Sequence, residues 1–517
     1  VSSQRFVHSS DGVRIAVFEQ GDPDGPTLVL VHGLPDTHRV WDPVVDRLAG
    51  RFRIIGYDLR GTGDSEVPTR TAAYSVQHFA DDFAAVVAGA PTVHVLAHGW
   101  GAAGVWEYLR RPGAAVASLT TVSGAEPELG DLRAVLTSPR RLARGVAALA
   151  TVKPYRANLR RAAAPDHDRV DVPVQSIVSI QDARRDELPV RVPRWWRRES
   201  TTGPLTPTTH APLLARAVTE LVDHLDGAPA PRELRRAEMG RARKAFGDTL
   251  VAVTGAASGI GRETALAFAR DGADVVVSDV DTAGLEETAR LVTETGAAAH
   301  TYTVDVSDAA AVEAMAERVC AEHGVPDIVV NNAGVGHAGF FLDTPAEEFD
   351  RVIDINFGGV VNGCRSWGKR LVERGTGGHI VNVASMASYT PVNVMNAYCT
   401  SKAAVYMFSD CLRAELDSSG IGVTTICPGI IGTNIVNTTR FSLPEERSYD
   451  ADTIRRRVRR GFAVRRVGPD KVAKAIVAAV KKNKPVRPVT TEAYLVYGVS
   501  HAFPQVMRST ARGGNIM

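Results

Sequence analysis

Tyr398 and Lys402 stand four residues apart, and the apolar residues that follow, Val405, Phe408, Leu412 and Leu416, recur at steps of three and four. That period puts the phenol and the amine on one face of a helix. An isolated phenol titrates near ~10 and is a poor proton donor or acceptor at neutral pH, whereas an ammonium held close favours the phenolate and lowers that value. The pair is thus equipped for acid–base work. Ser385, thirteen residues before Tyr398, closes the apolar run Ile380–Ala384, which reads as a buried strand. A hydroxyl at a strand end stands where open α/β sheets keep their sites, and there it can hold a substrate oxygen.

A second group of residues suits a dinucleotide. The apolar strand Leu250–Val253 runs into Thr254-Gly255-Ala-Ala-Ser258-Gly259-Ile260-Gly261, followed by Ala265, Leu266, Phe268 and Ala269 at helical spacing. Glycines let the backbone approach a pyrophosphate, and the helix N-terminus offers unpaired N–H groups and the positive end of a dipole. The next apolar run, Val275–Ser278, ends at Asp279, eighteen residues past Gly261. That is near the ~20 expected of a carboxylate that binds a ribose 2′-hydroxyl. Such a carboxylate repels a 2′-phosphate. Ser258 before the second glycine is also neutral, so although Arg262 lies close by, the expected cofactor is NAD rather than NADP.

Taken together, Thr254-Gly255-x3-Gly259-x-Gly261, Asp305-Val306, Asn331-Asn332-Ala333-Gly334, Asn356, Ser385, Tyr398-x3-Lys402 and Pro428-Gly429-x3-Thr433 resemble, in order and spacing, the short-chain dehydrogenase/reductase family. The resemblance spans about residues 247–490. It implies that Tyr398 is the acid/base, that Ser385 polarises the carbonyl or alcohol oxygen, and that Lys402 binds the nicotinamide ribose and tunes the phenol. Asn356 would hold a water in the proton relay. It also implies that the cofactor meets Thr254, Gly255, Ser258, Gly259, Ile260, Gly261 and Asp279 around the first turn. Asp305 and Val306 would meet the adenine, Asn332, Ala333 and Gly334 would line the cleft, and Pro428, Gly429, Ile431 and Thr433 would stand on the nicotinamide side. No metal site is expected.

These residues need a doubly wound parallel sheet to position them, and the whole chain reads as α/β. Its 517 residues allow several domains at ~150 residues each. A net charge of +2 gives no reason to expect nucleic acid as a partner. All five cysteines lie in the second half without metal-type pairing, which reads as reduced thiols in a cytoplasmic protein. Cys399 falls on another helix face than Tyr398 and Lys402 and reads as packing. The N-terminal residues have no apolar h-region, so no signal peptide is expected. No apolar run reaches the ~18 residues of a spanning helix, which leaves at most peripheral membrane contact. Asp226-Gly-Ala-Pro-Ala-Pro-Arg232, followed by Arg235, Arg236, Arg241, Arg243 and Lys244, reads as a solvated linker. The expected arrangement is a domain over 1–226, a linker over 227–246, a Rossmann-type domain over 247–490 and an apolar extension over 491–517.

The first half also alternates strands and helices, with strand candidates at Thr27–Val31, Ile54–Tyr57, Val93–Leu96 and Val174–Ile180. Its motifs His32-Gly33-Leu34-Pro35, Tyr57-Asp58-Leu-Arg60-Gly61-Thr-Gly63-Asp64-Ser65 and Ala97-His98-Gly99-Trp100-Gly101 resemble the epoxide-hydrolase branch of the α/β-hydrolases. At the nucleophile elbow that branch has an aspartate, and here stands Gly99, which has no side chain to attack with. Where the branch has a Gly-His-Trp with its base histidine, the tryptophan five residues before His210, this chain has Gly203-Pro204-Leu205, and proline transfers no proton. Only Asp182 remains at a charge-relay position. The cap remnant, about residues 125–171, holds a single tyrosine, Tyr155, where the branch uses two. Residues 1–226 therefore read as a hydrolase-shaped domain without hydrolase chemistry, with His32 and His210 as framework residues.

Two features bear on substrate. The run Arg455-Arg456-Arg457-Val-Arg459-Arg460 with Arg465-Arg466 reads as a solvated helix face, the alternative being a dock for an anionic carrier or an acidic membrane surface. Tyr494-Leu-Val-Tyr497 with Val499, Phe503, Val506 and Met507 reads as a helix packed on the domain or on a second copy, the alternative being a wall for a long apolar substrate. The expectation is an NAD-dependent oxidoreductase that interconverts a hydrophobic secondary alcohol and a ketone, carrier-bound or free, as a homo-oligomer in the family's habit. The alternatives are a two-function epoxide hydrolase and dehydrogenase, or a first half that serves binding or assembly.

Overall fold

The computed structural model describes residues 3–123, 153–158, 169–180, 191–201, 205–432, 439–442 and 467–513. Asp182, Gly203, Pro204, Thr433, most of the cap and the Arg455–Arg466 run lie outside the described residues, as does the side chain of Tyr155. The chain divides into two compact units, Val1–Arg241 and Ala242–Met517. Among the described residues, no helix is long and apolar enough to cross a membrane.

In the first unit the strands are β1 (Ser3–His8), β2 (Arg14–Gly21), β3 (Thr27–Val31), β4 (Arg53–Tyr57), β5 (Val93–His98), β6 (Val116–Val122), β7 (Val174–Ser179) and β8 (Trp195–Ser200). They form one sheet in the order β1-β2-β4-β3-β5-β6-β7-β8, antiparallel at β1–β2 and β2–β4 and parallel elsewhere. β3, β4 and β5 are apolar runs buried on both faces, as a parallel sheet covered by helices requires. The helices are α1 (Asp42–Leu48), α2 (Val76–Val87), α3 (Trp100–Leu109), α4 (Lys153–Asn158), α5 (Ala211–Leu225) and α6 (Arg232–Ala237). One face is covered by α1 and α5 through Trp41, Val44, Leu214 and Val218, and the other by α2 and α3 through Phe79, Phe83, Val105 and Trp106.

The stretch read as a solvated linker is partly folded. Leu234 and Ala237, three apart on α6, pack on Trp196 and Leu221, and this apolar pair holds the helix despite its arginine-rich sequence.

In the second unit β9 (Leu250–Thr254), β10 (Asp274–Asp279), β11 (Ala299–Thr303), β12 (Ile328–Asn331), β14 (Gly378–Val383), β15 (Ile421–Cys427) and β17 (Val486–Pro488) form a wholly parallel sheet. Its order is β11-β10-β9-β12-β14-β15-β17, while β13 (His337–Gly339) and β16 (Arg440–Ser442) pair separately. Strand order reverses between β9 and β12, so a crevice opens at their carboxyl ends, where doubly wound sheets bind ligands. The helices are α7 (Gly259–Arg270), α8 (Thr282–Thr293), α9 (Ala309–His323), α10 (Ala346–Ile353), α11 (Gly359–Arg374), α12 (Asn396–Leu416), α13 (Pro469–Lys481), α14 (Thr491–Ala502) and α15 (Pro504–Gly513). α7 and α13 cover one face of the sheet, and α9, α11 and α12 the other.

Candidate active site

The crevice begins at the turn after β9. Gly255 and Gly259 have φ of +65° and +57°, left-handed backbone that favours glycine. A Cβ on Gly255 would stand 2.7 Å from Ala333 Cα, and one on Gly261 would stand 2.1 Å from the Gly255 carbonyl oxygen. Only glycines let the turn close this tightly against the loop after β12. That loop is hydrogen-bonded to it: Asn332 Nδ2 donates to the carbonyls of Thr254 and Gly255 at 3.0 and 3.1 Å, and Thr254 Oγ1 accepts from Asn332 N and Ala333 N. Ser258 and Ile260 flank Gly259 where α7 starts, so unpaired helix N–H groups face the crevice. The residues present suit a dinucleotide pyrophosphate.

Asp279 ends β10 beside this turn. Its Oδ2 accepts from Ala257 N at 3.0 Å and its Oδ1 from Val280 N and Asp281 N. Arg262 is turned into the protein, its guanidinium donating to Thr288 Oγ1 and to the carbonyls of Ala257 and Gly284. Asp305 holds the turn after β11, accepting from Ser307 N and Oγ at 2.9 and 2.7 Å, while Val306 is buried against Gly359.

The second group converges beyond β14. This strand ends at Val383, so Ser385 lies just past it and caps the short turn Met386–Ser388, its Oγ accepting from Ala387 N at 3.1 Å. Met386 N donates to the Pro428 carbonyl at 2.8 Å, tying this turn to Pro428, Gly429 and the buried Ile431. Tyr398 and Lys402 share a face of α12, with Lys402 Nζ 6.0 Å from the centre of the Tyr398 ring. The ammonium donates to the Val383 carbonyl at 2.9 Å. A Cβ on Gly334 would stand 3.1 Å from Asn356 Oδ1 and 3.4 Å from Lys402 Nζ, so the loop after β12 reaches the same cluster.

The expected lowering of the phenol by its neighbouring ammonium is corrected by burial. Desolvation holds the Tyr398 phenol above its ordinary value although a hydrogen bond with Ser385 pulls it down. Desolvation also draws Lys402 down to about 8. Burial favours the neutral form of each group. A protonated phenol beside a hydroxyl is set to donate a proton to a carbonyl oxygen or, once ionised, to take one from an alcohol.

Two features were missed by the sequence reading. Asn356 is fully buried within a π-turn, Asp354–Gly358, where its Oδ1 accepts from Val335 N at 2.8 Å and its Nδ2 donates to Val335 O and Ser401 Oγ. Such turns often mark functional positions, but nothing in the residue types announces one. Beneath the site, Asn331 Nδ2 donates to Asn382 Oδ1 at 2.9 Å, and Asn382 Nδ2 donates to Ser409 Oγ at 2.9 Å. This chain of buried amides joins β12, β14 and α12. Polar residues in otherwise apolar strands were the available signal.

In the first unit, Gly99 joins β5 to α3 with φ of +52°, a nucleophile-elbow backbone. Among the described residues a Cβ there would meet only Gly33 Cα, at 3.7 Å. His98 hydrogen-bonds the Leu205 carbonyl, which also accepts from Ser123 Oγ at 2.9 Å. Both ring nitrogens of buried His32 are engaged: Nδ1 with the Gly33 carbonyl at 2.7 Å and Nε2 with Leu59 N at 3.0 Å. His210 Nδ1 lies 2.7 Å from Thr209 Oγ1. Arg60 is buried against Asp82 and Asp11, and Asp58 accepts from His38 and Asp64. These motif residues hold loops together. Among the described residues, no group of three or more His, Cys, Asp or Glu is arranged to hold a metal ion.

Comparison with known proteins adds the following. Residues 249–442 match the short chain dehydrogenase family and residues 26–226 the alpha/beta hydrolase fold family. The chain is 53% identical to "Probable oxidoreductase EphD" of Mycobacterium tuberculosis (strain H37Rv), with 98% of each chain covered. It is 34% identical to "Putative oxidoreductase SadH" of the same organism over 46% of this chain and 85% of that one. A solved short chain dehydrogenase/reductase from Burkholderia phymatum, in complex with NAD, is 27% identical, with a TM-score of 0.47 over 50% of this chain and 95% of that one.

Proposed function

This chain belongs to the short chain dehydrogenase family and is an oxidoreductase with an alpha/beta hydrolase fold ahead of its Rossmann-type sheet, and on that premise we propose that it interconverts a hydrophobic secondary alcohol and a ketone with NAD. The observation that carries the reading is the convergence of Ser385, Tyr398, Lys402 and Asn356 at the mouth of the crevice formed by the glycine turn. A bound nicotinamide nucleotide would supply the hydride acceptor. In oxidation, Ser385 holds the alcohol oxygen, ionised Tyr398 takes the hydroxyl proton, and the Lys402 ammonium steadies the phenolate. In reduction the phenol returns that proton to the carbonyl oxygen. Asn356 keeps the loop after β12 against α12, and through it holds the relay in place.

Residues Thr254 to Gly261, Asn332 to Gly334 and Pro428 to Ile431 would hold the cofactor. The preference for NAD rests on Asp279 at the end of β10 and on Arg262, whose guanidinium is committed to Thr288 and to backbone carbonyls rather than offered to a 2′-phosphate. The domain over residues 1–226 is read as inactive in hydrolysis, because the elbow lacks a nucleophile and its nearby histidines are tied to backbone groups. All five cysteines are free, in keeping with a reducing cytoplasm. A homo-oligomer is carried over from the family's habit.

A cofactor-fluorescence screen of the pure protein against apolar secondary alcohols and ketones, with NAD and NADP side by side, tests the proposal. The expected result is turnover of an apolar secondary alcohol with NAD at least ~10-fold better than with NADP, since one lost or repelled charge contact is worth about 1.4 kcal/mol or more. Turnover with primary alcohols alone, or with NADP alone, would contradict it.

A further inference from the structure

From Ala493 to Met507 the chain carries no Asp, Glu, Lys or Arg, in a protein of which 23% is charged. These fifteen residues make up most of α14 and the start of α15. They are firmly seated on one side. Ala493 is buried and its carbonyl accepts from Tyr389 Oη at 3.2 Å, Tyr497 packs edge-on to Tyr389 with ring centres 5.4 Å apart, and Met507 is buried. The other side is open and mostly apolar, with His501 and Gln505 as its exposed polar residues. Leu495 is 68% exposed, Phe503 64% and Val506 49%, and Leu495, Gly498 and Ala502 recur at steps of three and four along one face of α14. Among the described residues a Cβ on Gly498 would meet nothing within 4 Å. Isolated exposed apolar side chains need no explanation, but a contiguous apolar face on a docked helix pair does.

Charge identifies the occupant. Between residues 482 and 508 the basic groups are Lys482, Lys484, Arg487 and Arg508, and the acidic one is Glu492. Glu492 turns inward, its Oε1 accepting from Ile430 N at 3.4 Å. Arg487 places its guanidinium 5.4 Å from the centre of the Tyr494 ring, and Arg508 follows Met507 directly, so these two cations adjoin the apolar face. A self-complementary contact between two copies would bring these like charges together. An apolar face with aromatic edges and a basic border instead matches an anionic bilayer surface, with the side chains in the acyl boundary and the cations among the headgroups.

We propose that α14 and α15 form a peripheral docking face for an anionic lipid bilayer. The face adjoins the candidate active site, because α14 packs against the turn Met386–Ser388 that follows Ser385. An apolar substrate dissolved in the bilayer would thereby reach the crevice without crossing water.

The test is co-sedimentation of the full chain with vesicles of phosphatidylcholine alone and of phosphatidylcholine mixed with phosphatidylglycerol. Partitioning onto the anionic vesicles should exceed that onto the neutral ones at least ~10-fold and weaken with added salt. The double variant Leu495→Glu/Phe503→Glu should lose at least ~10-fold of that partitioning while its cofactor affinity and sedimentation mass stay unchanged. Arg487→Glu/Arg508→Glu should reduce binding to anionic vesicles alone. Absence of binding to anionic vesicles would overturn the proposal, as would equal binding by the first variant. A drop in that variant's mass in sedimentation velocity, with the wild type failing to bind vesicles, would assign the face to a second copy instead.

Discussion

The Lys402 ammonium donates to the Val383 carbonyl while lying 6.0 Å from the centre of the Tyr398 ring. The fourfold spacing of the two residues was legible in the sequence because helical geometry alone makes them neighbours. The direction of the shift was not, because it depends on how much water the folded chain removes from each group. Below about pH 8 the lysine carries its charge and the phenol keeps its proton, which suits ketone reduction. As pH rises the phenol ionises, so alcohol oxidation gains rate and reduction loses it. Lys402→Met removes the cation below about pH 8, where the wild type still carries it, so kcat/KM for oxidation should fall ~10²-fold or more there and by less above it, where the wild-type amine is itself uncharged. Rate–pH profiles of both proteins check this, and an equal loss at every pH would remove the Lys402 charge from that role.

At the scale of elements, the catalytic geometry depends on how α12 seats against β14. Ser385 follows the strand and Tyr398 opens the helix, so a shift of one against the other separates the two hydroxyls. Asn382 bridges Asn331 and Ser409 and thereby fixes that seating from within the core. Asn382→Ala would leave the Asn331 amide and the Ser409 hydroxyl each short of a partner in a buried setting. The expected loss is about 1–3 kcal/mol of unfolding free energy, measured by urea denaturation. A loss within about 0.5 kcal/mol, the range of ordinary surface substitutions, would show that the bridge does not hold the helix. The strands themselves were legible as short apolar runs, as at Leu250–Val253 and Val275–Ser278. The π-turn at Asp354–Gly358 was not, because Asp-Ile-Asn-Phe-Gly keeps helical periodicity and the extra residue per turn leaves no mark on it. Nor was α6, where two apolar residues among arginines gave too little pattern until Trp196 and Leu221 were seen to cover them.

For the whole molecule, two α/β units follow one another in a single chain. In the first, the elbow backbone persists at Gly99, and packing still demands glycine at 101, where a Cβ would stand 2.4 Å from the His32 carbonyl oxygen. The residue at the elbow carries no nucleophilic side chain. That was plain in the sequence because a glycine at a named position has no group to attack with. In the second unit, the crevice between β9 and β12 brings the glycine turn, Asn356, Ser385 and Tyr398 to one place. The proposal that redox chemistry resides there is tested most directly by the initial rate of NAD reduction by Tyr398→Phe, beside the wild type, on an alcohol found in the screen. Phenylalanine keeps the ring and removes the proton-carrying oxygen. The rate should fall ~10²-fold or more with the dissociation constant for NAD unchanged, whereas oxidation at the wild-type rate would contradict it.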